Sequence, residues 1–418
     1  MKTTVEAPSG GLFTWWREAT PAARRSLWAG TLGWMLDAFD VMLFALVLPA
    51  IISDLSLSKA QAGLLGSVTL IAAAAGGVSF GWFADRFGRT RALMTSVALY
   101  SVFTAACGFA STLTQFVVFR ILLGLGMGGE WTSGAALVSE SWPSEHRGKA
   151  LGMMQSGWAI GYALAALVAA IVQPRFGWRA VFFVGILPAF FTLWIQQRVH
   201  EPEIWTRTTR EAAPSPGFAS IFRGGIGTIT VMLTLMNTCT LFAWWGFNLW
   251  LPSYLKAAPA QGGIGLTGAM ASTFVVVMQV GMWFGYVTFG FVSDALGRKR
   301  TYVSYLLAAA ALLAVYVTVR VPEVLFFLGP FVAFAATGYF SGFGAVTAEI
   351  YPTAIRATAQ GFTYNVGRLV SAAAPYFVGS LADTHGFGAA LLICAASFVL
   401  AAIAWAWIPE TRGRALAK

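Results

Sequence analysis

Apolar residues run through this chain in long blocks separated by short polar breaks, and twelve of the blocks reach the length a bilayer-crossing helix requires, roughly 20 residues. They fall at about 27–52, 60–83, 90–110, 112–138, 149–172, 177–198, 225–255, 265–293, 300–319, 322–350, 356–382 and 387–408. Each block is predicted to be helical, because backbone in lipid has to satisfy its own hydrogen bonds. The one long break covers 199–224, where Pro202, Pro214 and Pro216 stand among mixed charges and threonines. The pattern divides the chain into a tail at 1–26, a six-helix bundle at 27–198, a linker at 199–224, a second six-helix bundle at 225–408 and a tail at 409–418. The expected fold is an all-α membrane protein of twelve transmembrane helices in two pseudo-symmetric bundles. The other loops are short and leave no room for a soluble catalytic domain, which argues against an enzyme.

A fixed offset of 209 residues relates the halves. Gly81-Trp82-Phe83-Ala84-Asp85-Arg86-Phe87-Gly88-Arg89 returns as Gly290-Phe291-Val292-Ser293-Asp294-Ala295-Leu296-Gly297-Arg298. Glu140-Ser141-Trp142-Pro143, Arg147 and Gly152 return as Glu349-Ile350-Tyr351-Pro352, Arg356 and Gly361. Both halves also close alike, with Glu201-Pro202-Glu203 and then Pro409-Glu410. Two unrelated charged motifs sharing one offset point to an internal duplication. Parallel repeats of six spans with a site between them describe a large class of secondary transporter.

Charge placement orients the chain. The net charge is +10. With the N-terminus on the cytoplasmic side, the tails and even-numbered loops hold 20 of the 27 Lys and Arg. The opposite side holds Lys59, Arg175, Arg179, Lys256 and Arg320. This bias puts both termini in the cytoplasm of an inner-membrane, multi-pass protein, and the positive charge needs no nucleic-acid partner. Cys107, Cys239 and Cys394 lie inside spans at scattered spacings, so neither a disulfide framework nor a metal site is expected, and no cofactor is implied. The first 26 residues lack the apolar core of a signal peptide, and Phe13, Trp15 and Trp16 beside Arg17 read as an interfacial anchor. Gly124, Gly126, Gly128 and Gly129 in the fourth span, with Gly152, Gly157 and Gly161 in the fifth, allow close helix approach.

Asp85 and Arg89 occupy the turn after the second span, and Asp294 and Arg298 the matching turn after the eighth. Asp85 is placed to cap a neighbouring helix or pair with a basic side chain. Glu140 with Arg147, and Glu349 with Arg356, end one span and begin the next on the same face, with Pro143 and Pro352 in the turns. These eight residues are expected to form a ring of ion pairs at the cytoplasmic mouth, each worth about 1 kcal/mol where solvated. That suits a reversible gate; the simpler alternative is that they only set topology. The Gly-x-x-x-Asp-Arg-x-Gly-Arg turn resembles the signature of the major facilitator superfamily, and Arg120-x-x-x-Gly124-x-Gly126-x-Gly128 resembles its fourth-span motif. Glu-Ser-Trp-Pro with Arg147, and Glu-Ile-Tyr-Pro-Thr with Arg356, resemble a narrower group of sialate, aromatic acid and metabolite proton symporters and the animal organic-ion transporters. Asp37-Ala38-Phe39-Asp40 resembles the Asp-Gly-x-Asp of the first two, with Ala38 in place of Gly.

Ionisable side chains inside spans are costly and so mark function. Asp37 and Asp40 are three residues apart on one face of the first span. Carboxylates this close resist simultaneous ionisation, as a proton carrier requires. Arg120 and Glu130 in the fourth span are separated by about 15 Å along the helix axis, too far to pair. Arg368 in the eleventh span stands one turn from Asn365, and its planar fork suits a carboxylate. Three acids against two arginines leave −1 when all are ionised, and two protonations leave +1, ready for a monoanion. An organic cation balances the fully ionised state equally well, but two placed arginines favour an anion. Each charge also has a packing alternative: Asp37 or Asp40 paired with Arg120 or Arg368, and Glu130 as part of a gate. Asn237, Leu241, Trp244 and Asn248 form a polar and aromatic stripe on the seventh span, with Gln155 and Gln279 as further cavity candidates.

The expectation is a proton-coupled symporter for a small organic acid, working by alternating access. Asp37, Asp40 and Glu130 would couple to protons, and Arg120, Arg368, Asn365, Gln155 and Trp244 would bind substrate. Its partners are a small carboxylate, protons and the bilayer, and a monomer suffices. The alternative within transport is a proton-antiporting exporter or organic-cation carrier. A sensor without transport, an intramembrane enzyme and a channel fit the sequence less well.

Overall fold

The computed structural model describes residues 14–143, 146–201, 218–223 and 225–412, and among these the side chains of Asp85, Arg147 and Arg356 lie outside the description. The linker prolines Pro202, Pro214 and Pro216, and Phe13 and the Trp15 side chain of the anchor, are likewise outside the described residues.

Spans begin where a side chain can receive the free N–H groups of a first helical turn. Thr20 Oγ1 accepts from Ala23 N at 3.1 Å and starts the first span, Pro21–Asp54, with Pro21 at a position whose missing N–H costs nothing. Ser58 and Gln61 form a reciprocal capping box for the second, Lys59–Phe87. The third, Arg89–Cys107, and fourth, Leu113–Ser141, complete a short-looped run. The fifth runs from Arg147 into a helix that continues to Val184, broken by Gly177 at φ 77°, and the sixth ends in Leu187–Arg198.

The second bundle repeats the plan. It comprises Ile226–Lys256, Gly268–Leu296, Arg298–Thr318, a tenth span of Pro322–Gly338 and Phe343–Ile350, then Thr353–Ser371 and Ala374–Ala404. Gly386, at φ 78°, separates the eleventh and twelfth spans just as Gly177 separates the fifth and sixth. Three spans are interrupted where unbroken helices were expected: at Gly185–Ile186, across the 3-10 turn Tyr339–Gly342, and at Ala372–Ala373. Among the described residues, nine helical stretches are long and apolar enough to cross a membrane. Two of these, Lys149–Arg198 and Ala359–Ala404, each carry two spans. With the more polar third span, Arg89–Cys107, these stretches are consistent with the expected twelve.

Small residues bring the helices together. A Cβ on Gly128 would collide with the Ala73 carbonyl of the second span, so backbone packs directly on backbone there. Ser96 Oγ of the third span donates to Gly126 O at 2.7 Å, so its polar side chain is satisfied by the same glycine-lined groove. Between the bundles, the second span packs on the eleventh, the fifth on the eighth and the first on the seventh.

Candidate transport site and gates

The five ionisable side chains expected inside spans are all buried: Asp37, Asp40 and Glu130 at 0% exposure, Arg120 at 1% and Arg368 at 3%. Neither oxygen of any of the three carboxylates has a hydrogen-bond partner among the described residues, and neither does Nε of either arginine. Arg368 is the cation within electrostatic reach of both Asp37 and Glu130, although no ion pair closer than 4 Å joins them. Glu130 Oε1 lies against Gly33, one turn before Asp37, so the two acids face each other across the first and fourth spans. Asp40 looks elsewhere. Its Oδ1 sits beside Gly185, at the break in the sixth span, with Thr104 of the third span as its neighbour. The two aspartates thus have different neighbours, Glu130 and Arg368 for Asp37 and Thr104 and Gly185 for Asp40, while remaining within electrostatic reach of each other.

Arg120 takes no acid as its partner among the described residues. Its guanidinium lies over the Phe44 ring at 4.1 Å, a cation–π contact. It lines a small cavity between the bundles with Val41, Gly66, Thr69, Trp245 and Pro375. Asn365 bonds back to Gly361 O at 3.0 Å, and its Oδ1 points at Gly77 of the opposite bundle. Of the seventh-span stripe, Asn248 is consumed by packing: its side chain donates to Trp244 O at 3.0 Å, and its carbonyl accepts from Tyr162 OH at 3.3 Å. Asn237 packs against Gly367 and Leu241 is buried. Gln155 Oε1 and Gln279 Oε1 are buried without partners among the described residues, while Gln279 Nε2 bonds its own helix at Val275 O.

Sequence reasoning missed two groups. Tyr100, a third-span residue at 0% exposure, has a hydroxyl without a partner among the described residues, within electrostatic reach of Asp37, Asp40 and Glu130. Trp34 and Trp158 join Trp244 and Trp245 in one aromatic cluster, with ring centroids 4.6 Å (Trp34–Trp158), 5.4 Å (Trp158–Trp244) and 4.8 Å (Trp244–Trp245) apart. Nothing in the sequence singles out Tyr100; the signals for the cluster were Trp244 in the seventh-span stripe and Trp34 standing one turn before Asp37.

Of the eight expected gate residues, the five with described side chains, Arg89, Glu140, Asp294, Arg298 and Glu349, make ion pairs inside their own bundle. Arg89 donates to Glu140 at 3.0 Å and Arg298 to Glu349 at 3.1 Å, each linking the third span of its bundle to the end of the fourth. Arg298 also donates to Ser293 Oγ at 2.7 Å and pairs with Asp294. The acid seen capping the next helix is Glu201, which accepts from the backbone N–H of Arg89 at 2.7 Å and of Thr90 at 3.1 Å. Glu410 does the same for Arg298 at 2.9 Å and Lys299 at 3.2 Å. A carboxylate at a helix N-terminus meets both free N–H groups and the positive end of the dipole. Gly88 and Gly297, at φ 113° and 100°, make the turn that admits it, and a Cβ on either would strike the glutamate. Burial opposes the charge of Glu410, but the backbone N–H groups of Arg412, Arg298, Lys299 and Thr411 outweigh it and hold the carboxyl below the usual range. The cap thus stabilises the fold above the ordinary carboxylate range and is lost as pH falls through the lowered value.

Near the opposite face, charged side chains also link one bundle to the other. Asp383 accepts from the backbone N–H of Ala60 at 3.0 Å and pairs with Lys59 Nζ at 3.5 Å, while Lys256 Nζ donates to Leu46 O at 2.7 Å. At the other face, the ion pairs seen among the described residues lie within each bundle. Asp383→Ala is expected to release the link between the bundles. Spin labels at Ala60 and Thr384 should report a longer distance distribution in the variant, and an unchanged distribution would mean the contact holds nothing.

Two duplicated bundles, charged turns at one face and unpaired charges between the bundles define a secondary transporter. The chain belongs to the major facilitator superfamily, whose family model matches residues 31–261 and again 235–418. A putative metabolite transport protein of Haemophilus influenzae is 34% identical over 94% of this chain and 97% of its own length. A probable 4-methylmuconolactone transporter of Cupriavidus pinatubonensis is 33% identical, covering 97% and 95% respectively. A sialic acid transporter of Escherichia coli is 31% identical, covering 92% and 93%. Among solved structures, a D-xylose-proton symporter superposes with a TM-score of 0.75 at 22% identity, over 94% of this chain and 100% of that one, a likeness of fold.

Proposed function

We propose that the protein is a proton-coupled symporter that carries a small organic acid across the inner membrane, with both termini in the cytoplasm. The observation that carries this reading is the placement of Asp37, Glu130 and Arg368 at the bundle interface, buried and without direct ion pairs among the described residues. Buried charge without a partner is costly. A carboxylate substrate on Arg368 and protons on Asp37 and Glu130 would relieve that cost together, and neither would relieve it alone. This mutual dependence is what couples the two fluxes. The named cargo of the relatives, a muconolactone and a sialic acid, supports an acid of this general kind, as does the cis,cis-muconate transport protein of Acinetobacter baylyi at 31% identity. Asp40, turned into its own bundle, serves mainly to position the first span.

The test is uptake into proteoliposomes of labelled acids and cations, with and without an inward proton gradient. Acid accumulation that needs the gradient and collapses with a protonophore is the expected result. Cation uptake driven by an outward proton flux would replace symport with antiport.

A further inference from the structure

The aromatic cluster holds an excess of hydrogen-bond donors. Trp34, Trp158 and Trp244 are buried at 6%, 2% and 4% exposure, and the indole N–H of each lacks an acceptor among the described residues. A buried tryptophan ordinarily places its N–H on a partner. Elsewhere in this molecule that is seen: Trp250 donates to Pro375 O at 2.9 Å, Trp142 to Ala23 O at 2.8 Å and Trp178 to Asp54 at 3.2 Å. Trp405, at 0% exposure, is a fourth indole without an acceptor among the described residues, but it stands apart from this cluster, where three such donors come together.

The cluster also spans the right boundary. Trp34 comes from the first span and Trp158 from the fifth, in one bundle. Trp244 comes from the seventh and Phe340 from the tenth, in the other, at a centroid separation of 6.3 Å. Trp34 lies one helical turn from Asp37 and next to Gly33, on which Glu130 rests. The indoles thus adjoin the acids that face Arg368.

We infer that Trp34, Trp158 and Trp244 form a substrate subsite that receives a flat, conjugated body bearing a second oxygen acceptor, a carboxylate or lactone carbonyl, remote from the carboxylate held by Arg368. The inference rests on the symport reading for the first carboxylate and adds the chemistry of the far end. Indole faces accept a planar π body in stacked or edge-on geometry, and the N–H groups donate to its second oxygen. A saturated ring offers neither match. Donors left unpaired by an analogue lacking the acceptor are the basis of strong discrimination in buried sites.

Three probes separate the contributions: cis,cis-muconate is flat with a second carboxylate, benzoate is flat without one, and cyclohexanecarboxylate is neither. Trp158→Phe keeps an aromatic ring and removes the N–H. It is expected to raise the KM for muconate about tenfold, the loss of one hydrogen bond to a charged group, and to leave benzoate within about twofold. Trp158→Leu should weaken both. Equal shifts for muconate and benzoate in Trp158→Phe, or no preference for muconate in the parent protein, would overturn the subsite. Calorimetric binding in detergent, with no gradient, keeps the two readings apart. Muconate binding that Trp158→Phe weakens, without gradient-driven uptake, would sink the symport reading and support the subsite. Gradient-driven uptake with identical KM values in parent and variant on all three acids would do the reverse.

Discussion

Arg368→Ala is expected to reduce acid binding and uptake by at least about 100-fold while leaving the protein folded. Arg368 is 3% exposed, stands at the bundle interface on the eleventh span, and makes no ion pair within 4 Å among the described residues. Removing one member of a buried, hydrogen-bonded charge pair costs about 3–5 kcal/mol, and each 1.4 kcal/mol or so is tenfold in affinity. If the substrate carboxylate is that other member, two or more powers of ten follow. Arg368→Lys should recover only part of the loss, since an ammonium restores charge without the planar fork. Arg120→Ala should cost less, because that guanidinium already has the Phe44 face as a partner. Calorimetric titration with muconate checks all three, and an unchanged Kd in Arg368→Ala would remove Arg368 from the site.

The charged turn motifs were legible because the duplication writes them twice. The same offset also relates features that only the structure explains: the positive-φ turns at Gly88 and Gly297, the kinks at Gly177 and Gly386, and the helix-capping Glu201 and Glu410. The aromatic positions follow it as well, with Trp142 reaching Ala23 O and Tyr351 reaching Thr230, two residues off the matching position, each tethering the end of a fourth span to the start of a first. The buried charges obey no such rule. At the same offset, Asp37 corresponds to Gly246, Arg120 to Gly329, Glu130 to Tyr339, and Arg368 to Ala159 in reverse. Duplication built the scaffold and its charged turns, and divergence between the halves built the site. Intramembrane charge made those residues conspicuous, but their pairing was not readable. Spacing along the first span put Asp37 and Asp40 on one face, and only the packing shows that Asp40 lies against Gly185 of the sixth span while Asp37 lies within reach of Arg368. The helix breaks at Gly185, Tyr339–Gly342 and Ala372 escaped hydropathy because the breaking segments are as apolar as the helices they interrupt. The indole cluster escaped for a related reason: tryptophans in apolar spans look like packing, and nothing in the sequence brings positions 34, 158 and 244 together.

The different neighbours of the two aspartates make the sharpest demand on the mechanism. In Asp37→Asn, gradient-driven accumulation should vanish while exchange of labelled for unlabelled acid continues. Asparagine has nearly the same shape as a protonated aspartate and cannot release a proton, so the variant keeps the substrate-ready state and loses the link to the gradient. For one proton per monocarboxylate, a gradient of one pH unit is about 1.36 kcal/mol and drives roughly tenfold accumulation. The variant should level off at equal concentrations inside and out. Asp40→Asn should retain accumulation, because Asp40 faces Thr104 and Gly185 within its own bundle and not Arg368. Proteoliposome accumulation ratios measured beside counterflow rates decide the matter. Tenfold accumulation in Asp37→Asn would free Asp37 of the coupling role. Collapse in Asp40→Asn alone would move the proton carrier into the first bundle, away from the interface where Arg368 and the substrate could sense it.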